Sequence, residues 1–227
     1  MGNKPVIGIL ATSNYMLTND TFCDTYRFGN NYVKKIVDNG GIPLFIPYVD
    51  DEVILDSLLM CDGLLLPGGN RVIPAAFEVI NYFYKNNKPI LGICLGMQSI
   101  AMYSMNKCNE NRCIIKQVDT GVDHWPFEIY RDNNDVLVHN VVIDKESKMY
   151  QIFGSETIKV NSVHKYMITE VSDEFRVSIK SIDGVIEGIE YKNDDKFILG
   201  VQFHPEILPQ FNNLFKVFID NCRKEQK

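Results

Sequence analysis

Ile90-Leu91-Gly92-Ile93-Cys94-Leu95-Gly96-Met97-Gln98 is the stretch on which the reading of this chain turns. Ile90 to Ile93 is a short apolar run of strand type, and Leu95 to Met105 has helical composition. One cysteine stands at the junction, with glycine two residues before it and two after. A sharp strand-to-helix turn brings those two positions together, so both must be small; this is the pattern of a nucleophile elbow. A side chain on such a turn projects at the C-terminal edge of the sheet. The helix N-terminus behind it favours the thiolate. The amide N–H of Leu95 then faces the place where an oxyanion would develop. A glycine-flanked cysteine can equally be an inert buried thiol; the strand-turn-helix context favours the nucleophile.

Upstream of the elbow the same unit repeats. Lys4 to Leu10, Ile42 to Pro47 and Gly63 to Leu66 read as strands, while Tyr26 to Asp38, Glu52 to Met60 and Ala75 to Asn86 read as helices. Asn39-Gly40-Gly41 stops the first helix, because glycine accepts the left-handed conformation that follows a helix. With the elbow this gives strand-helix four times at short spacing, the pattern of a parallel sheet with helices on both faces. Leu64-Leu65-Leu66 and the elbow strand are continuously apolar, as strands buried on both faces should be. Pro67-Gly68-Gly69 closes its strand at the same edge as the cysteine, where glycine N–H groups can supply a second oxyanion donor.

After Lys107 the pattern changes to strands: Val136 to Ile143, Thr157 to Val160, Phe175 to Ser181, Val185 to Tyr191 and Phe197 to Gln202. Asp183-Gly184 is a hairpin signal. A last helix is expected from about Gln210 to Cys222, ahead of a frayed tail. The whole reads as one α/β domain over residues 1–227, with an added antiparallel section.

Phe203-His204-Pro205-Glu206 supplies what a cysteine nucleophile needs. A base must take the thiol proton and later protonate the leaving amine. The residue before proline is held extended. Extended residues two apart point the same way. Glu206 can therefore orient the His204 ring and stabilise imidazolium, the third role of a triad.

Composition excludes other classes. A net charge of −6 and the lack of a basic stripe argue against nucleic acid. No apolar stretch approaches membrane-spanning length. Met1 to Leu10 lacks the features of a signal peptide, so Cys23, Cys61, Cys94, Cys108, Cys113 and Cys222 are expected as reduced thiols in the cytoplasm. Cys108 and Cys113 flank a polar loop without the further ligands a metal site would need. No phosphate-cradling loop or metal-ligand spacing is present, so neither metal nor cofactor is expected. His139 reads as structural, and His124, in Asp123-His124-Trp125-Pro126, is undecided. Asn19-Asp20-Thr21 matches a glycosylation acceptor, which has no meaning in a cytoplasmic chain.

Leu65-Leu66-Pro67-Gly68-Gly69, the elbow through Gln98, and Gly200-Val201-Gln202-Phe203-His204-Pro205-Glu206 together resemble the three signatures of class I glutamine amidotransferases. The resemblance runs from about Val6 to Cys222. Within that class the chain is most similar to the γ-glutamyl-γ-aminobutyrate hydrolase family, which is peptidase C26-like. Asn31-Tyr32-Val33 with Gly40-Gly41-Ile42-Pro43, Val160-Asn161-Ser162-Val163-His164 and Asp183-Gly184-Val185-Ile186-Glu187 carry that likeness. It implies a flavodoxin-like sheet and hydrolysis of a small γ-glutamyl amide through a thioester. The expected catalytic residues are Cys94, His204 and Glu206, with Gly69 and Leu95 as oxyanion donors. Gln98, Asn161, Ser162 and His164 are expected to bind substrate. Two departures lie where the leaving group would bind: Asn70 to Ala76 is short where the family carries a longer insert, and Lys165 stands where it often has a second histidine. A homodimer and a separate synthetase partner fed with ammonia both stay open, whereas a non-catalytic relative is disfavoured by the complete triad.

Overall fold

The computed structural model describes residues 4–11, 14–16, 24–26, 28–49, 52–70, 72–107, 113–126 and 136–223. The readings at Asn19-Asp20-Thr21, Cys23, Cys108 and the loop to Arg112 lie outside the described residues.

In chain order the first strands are β1 (Val6–Leu10), β2 (Asn14–Met16), β3 (Asp24–Tyr26), β4 (Ile42–Ile46), β5 (Tyr48–Val49), β6 (Glu52–Val53), β7 (Gly63–Leu66) and β8 (Ile90–Ile93). After them come β9 (Ile115–Gln117), β10 (His139–Ile143), β11 (Thr157–Val160), β12 (Tyr166–Ile168), β13 (Phe175–Ser181), β14 (Ile186–Tyr191) and β15 (Ile198–Val201). The helices are α1 (Asn30–Asp38), α2 (Leu55–Leu59), α3 (Pro74–Lys85), α4 (Leu95–Lys107), α5 (Lys148–Phe153) and α6 (Asn212–Asn221).

Nine strands form one sheet in the order β11-β10-β13-β14-β15-β8-β7-β1-β4. From β4 to β15 neighbouring strands are parallel, and from β15 to β11 they are antiparallel. β7, β8 and β15 are buried at every residue, which is why their sequences run apolar without alternation. Helices cover both faces. On one, Val79 and Phe83 of α3 and Met97 and Ile100 of α4 pack with Leu64 and Ile90. On the other, Ile36 of α1 and Leu214, Phe215 and Phe218 of α6 pack with Ile7, Leu65 and Leu91. Phe215 and Phe218 are fully buried, and each such burial stabilises by about 1.5–3 kcal/mol relative to exposure.

Two helices are shorter than the periodicity predicts, and local pairing explains both. Asp24–Tyr26 pairs with Asn14–Met16, so α1 begins at Asn30 instead of Tyr26. Glu52–Val53 pairs with Tyr48–Val49, so α2 begins only at Leu55. The last helix divides into a 3₁₀ turn, Pro209–Phe211, and α6. α5 was not anticipated; Ser147 caps its N-terminus through its side chain, and Gly154, at φ 66°, ends it. Cys61, Cys94, Cys113 and Cys222 are free thiols. No helix among the described residues is long and apolar enough to cross a membrane.

Register sets the site. Leu66 pairs with Gly92, and Val201 pairs with Ile93. Pro67-Gly68, Cys94 and Gln202-Phe203-His204 therefore leave three adjacent parallel strands at one edge, the carboxyl ends where such sheets place ligands.

Candidate active site

Cys94 has φ 53°, a left-handed conformation that non-glycine residues rarely adopt. Its N–H donates to Val201 O at 2.7 Å, so the β8–β15 ladder continues into the turn and holds it. An added Cβ at Gly92 would lie 2.6 Å from the Gly96 carbonyl carbon, and one at Gly96 would run into Leu66 O. Close backbone approach thus demands glycine at both positions.

His204 and Glu206 follow β15. His204 Nδ1–H donates to Glu206 Oε1 at 2.7 Å, and the ring lies close enough to Cys94 to feel its side chain. Burial disfavours charge on the ring, but the neighbouring Glu206 and then Cys94 outweigh it, so the imidazole is held well above its ordinary range. Glu206 is 7% exposed and the His204 side chain 15%, so solvent reaches the pair from the histidine side.

Gly68 sits against this group. A Cβ there would lie 2.8 Å from His204 Cε1 and 3.6 Å from Cys94 Cβ. Its N–H donates to the Tyr32 hydroxyl at 3.0 Å. Burial, then the Glu206 charge, pushes that phenol well above its usual range, so it stays neutral. Gly69, next along, is exposed, and Leu95 is the first residue of α4, where an N–H has no intrahelical acceptor.

The remaining predicted site residues are all buried. Gln98 donates from Nε2 to Tyr166 O at 3.1 Å and to Gln202 Oε1 at 3.0 Å. Gln202 in turn donates to Cys94 Sγ at 3.4 Å. Asn161 grips the His204 backbone twice, donating to its O and accepting from its N–H, both at 2.8 Å. The Ser162 hydroxyl donates to His124 O at 3.1 Å. His164 lies 3.1 Å from His124 and 3.4 Å from Glu187. His124 donates from Nε2 to Asp183 at 3.0 Å. Burial opposes charge on His124, yet Glu187 and Asp183 together raise it above its ordinary value.

Tyr32 and Gln202 are contacts that sequence reasoning did not assign, and Gly68, read with Gly69 as a possible oxyanion donor, gives its N–H to Tyr32. Gln202 lies inside the quoted Gly200-to-Glu206 stretch, where its place one step past the strand was the available signal. Tyr32 lies on the apolar face of α1, and nothing local distinguishes it from a core residue.

The peptidase C26 family model matches the chain over residues 5–81 and 75–206. A glutamine amidotransferase-like protein of Rickettsia prowazekii, RP404, is 26% identical over 92% of this chain and 93% of its own length. A Schizosaccharomyces pombe protein named for a glutamine amidotransferase is 30% identical over 88% of this chain and 85% of its own. Among solved structures, the glutaminase domain of Trypanosoma brucei CTPS with bound acivicin shares the fold at TM-score 0.68 and 18% identity, over 98% of this chain and 95% of that one. CTP synthases also match by sequence, over 31% of the Natronomonas pharaonis protein and 37% of the Methanosphaera stadtmanae one.

Proposed function

The chain belongs to the peptidase C26 family of class I glutamine amidotransferase-like hydrolases acting on C–N amide bonds, and we propose that it cleaves a γ-glutamyl amide through a thioester on Cys94. The observation that carries this reading is the left-handed Cys94 at the sheet edge, beside a His204 that Glu206 holds at 2.7 Å. In it, the Cys94 sulfur attacks the γ-carbonyl carbon, and the N–H groups of Leu95 and Gly69 receive the developing oxyanion. Protonated His204 gives its proton to the departing amine, leaving the γ-glutamyl thioester. His204 then takes a proton from water, which attacks the thioester and frees glutamate and thiol. Glu206 and Asn161 hold His204 by side chain and backbone. The short Asn70-to-Ala76 segment, with α3 beginning already at Pro74, supports loose reading of the amine half.

Purified chain assayed on two substrate series tests this. One varies the amine with γ-glutamyl constant; the other replaces γ-glutamyl by β-aspartyl or a des-amino analogue. Acyl changes should cost up to about 10⁴-fold in kcat/KM, because they leave buried polar groups unpaired, and amine changes far less. Cys94→Ala should lose both turnover and the mass adduct with a diazo-ketone glutamine analogue. An adduct on Cys94→Ala equal to the parent's, or better tolerance at the acyl half than at the amine half, overturns the proposal.

A second reading is a glutaminase subunit that passes ammonia to a separate synthetase. The CTP synthase matches favour it, since there the similar region is about a third of a larger protein.

A further inference from the structure

Apart from the Cys94 group, four buried side chains face one another: His124, His139, His164 and Glu187. Each offers one ligand atom, and these atoms all lie within 4.8 Å of one another. Glu187 is fully buried, and neither of its carboxylate oxygens has a hydrogen-bond partner by strict geometry.

The outward hydrogen bonds set the tautomers. His164 Nδ1 faces Tyr166 O at 3.1 Å, and a carbonyl only accepts, so Nδ1 carries the proton and Nε2 turns a lone pair inward. His124 Nε2 faces Asp183 at 3.0 Å, which leaves Nδ1 turned inward. His139 Nδ1 lies 3.3 Å from Ser181 Oγ and 3.5 Å from Asn140 O, and its inward Nε2 has no hydrogen-bond partner. Ser162 Oγ lies 3.2 Å from His124 Nδ1 and 3.1 Å from His124 O. Three ring nitrogens and a carboxylate, all groups that can ligate a metal, thus converge. His124 Nδ1 and His164 Nε2 stand 3.1 Å apart, an approach that a proton or a shared cation between them relieves.

We propose that His124, His139, His164 and Glu187 bind a divalent metal ion, with Zn²⁺ the ion their chemistry fits. Tetrahedral zinc with bonds of about 2.0–2.1 Å has ligand-to-ligand edges of about 3.3–3.4 Å. Here Glu187 Oε1 is 3.4 Å from His124, 3.4 Å from His164 and 3.5 Å from His139. Each imidazole also has the outer partner that fixes a ligating ring, with the carboxylate of Asp183 behind His124. Two charges on Zn²⁺ balance the Glu187 and Asp183 carboxylates in a poorly solvated place. A surface cleft of about 510 Å³, lined in part by His124 and His164, gives the ion a way in. Four protein ligands close the coordination shell, so the ion's role is structural. It ties the loop at His124 and the Asn161-to-His164 segment to β10 and β14. The ligands are scattered from residue 124 to 187, so no sequence spacing announces them.

The test uses the full chain, untagged and purified without chelator. Elemental analysis should find one zinc per folded chain. Chelation should lower Tm, added Zn²⁺ should restore it, and Co²⁺ should give the visible bands of a tetrahedral site. His139→Gln should abolish stoichiometric binding. Asp183→Asn, which leaves all four ligands in place, should weaken Zn²⁺ binding by about 10–100-fold. A chain folded by circular dichroism that holds no stoichiometric metal and shows no Tm response to excess Zn²⁺ overturns the proposal. So does an Asp183→Asn variant with parental zinc affinity. Cys94 adduct formation reports on the hydrolytic reading independently of either result.

Discussion

At Cys94 the residue and its backbone are selected together. A φ of 53° costs energy for any side chain with a Cβ, and the N–H bond to Val201 O and the tight Gly92–Gly96 approach hold it there. The candidate nucleophile was legible because its neighbours must be glycine, a requirement written in the chain. Its partner was legible because proline fixes the residue before it as extended. The acid-base behaviour of His204 then yields a prediction. Its charged form is favoured chiefly by Glu206, with Cys94 adding to it, against the opposing effect of burial. Glu206→Gln keeps the shape and removes the charge. The alkaline limb of kcat/KM, which marks loss of imidazolium, should move to lower pH in that variant. The sign carries over to stability. A histidine raised in the fold contributes stability below its unfolded pKa and loses it as pH rises through the folded value, so the variant should lose most at acidic pH. Turnover should fall less than in His204→Ala; in one measured series the orienting residue contributed roughly a hundredfold less than the base. An alkaline limb that does not move would mean that Glu206 is not what keeps the ring charged.

Among the elements, strands buried on both faces were the easiest to read, since β7, β8 and β15 show uninterrupted apolar runs. The three-residue strands β9 and β12 pair antiparallel, Tyr166 against Gln117, across a long stretch of chain. Segments that short carry no period, so their pairing is a tertiary fact. The same holds for Asn161, at the exit of β11. Its family likeness suggested contact with substrate, and its side chain is engaged on the backbone of His204. Asn161→Ala should remove both 2.8 Å bonds to the part-buried His204 backbone. That loss should cost about 1–3 kcal/mol of stability, two hydrogen bonds at about 0.5–1.5 kcal/mol each. Because His204 moves, kcat should fall more than KM rises. Differential scanning calorimetry with steady-state kinetics checks both. A KM effect alone, with Tm unchanged, would instead place Asn161 on the substrate.

Over the whole molecule, every group of the candidate site comes from this one chain. Tyr32 is delivered by α1, Gly68 by the exit of β7, Cys94 by β8 and α4, Asn161 by β11, and His204 and Glu206 by the exit of β15. These elements are fixed to one another by a continuous nine-stranded sheet and by cores on both of its faces. His204 and Cys94 are brought together around Gly68 by this chain's own strand exits. A subunit that depends on a synthetase would be expected to hold its histidine or its oxyanion donors out of place until the partner docks. Purified chain, given a γ-glutamyl amide without ATP or any added protein, should therefore turn over at a rate proportional to enzyme concentration. Glutamine in the same assay separates the two functional readings. Strong hydrolysis of γ-glutamyl amides with larger amines, at kcat/KM equal to or above that for glutamine, supports the stand-alone hydrolase. A chain that takes the Cys94 adduct yet releases no product from any of these substrates would show that catalysis is completed elsewhere, and the ammonia-delivering reading would replace the one argued here.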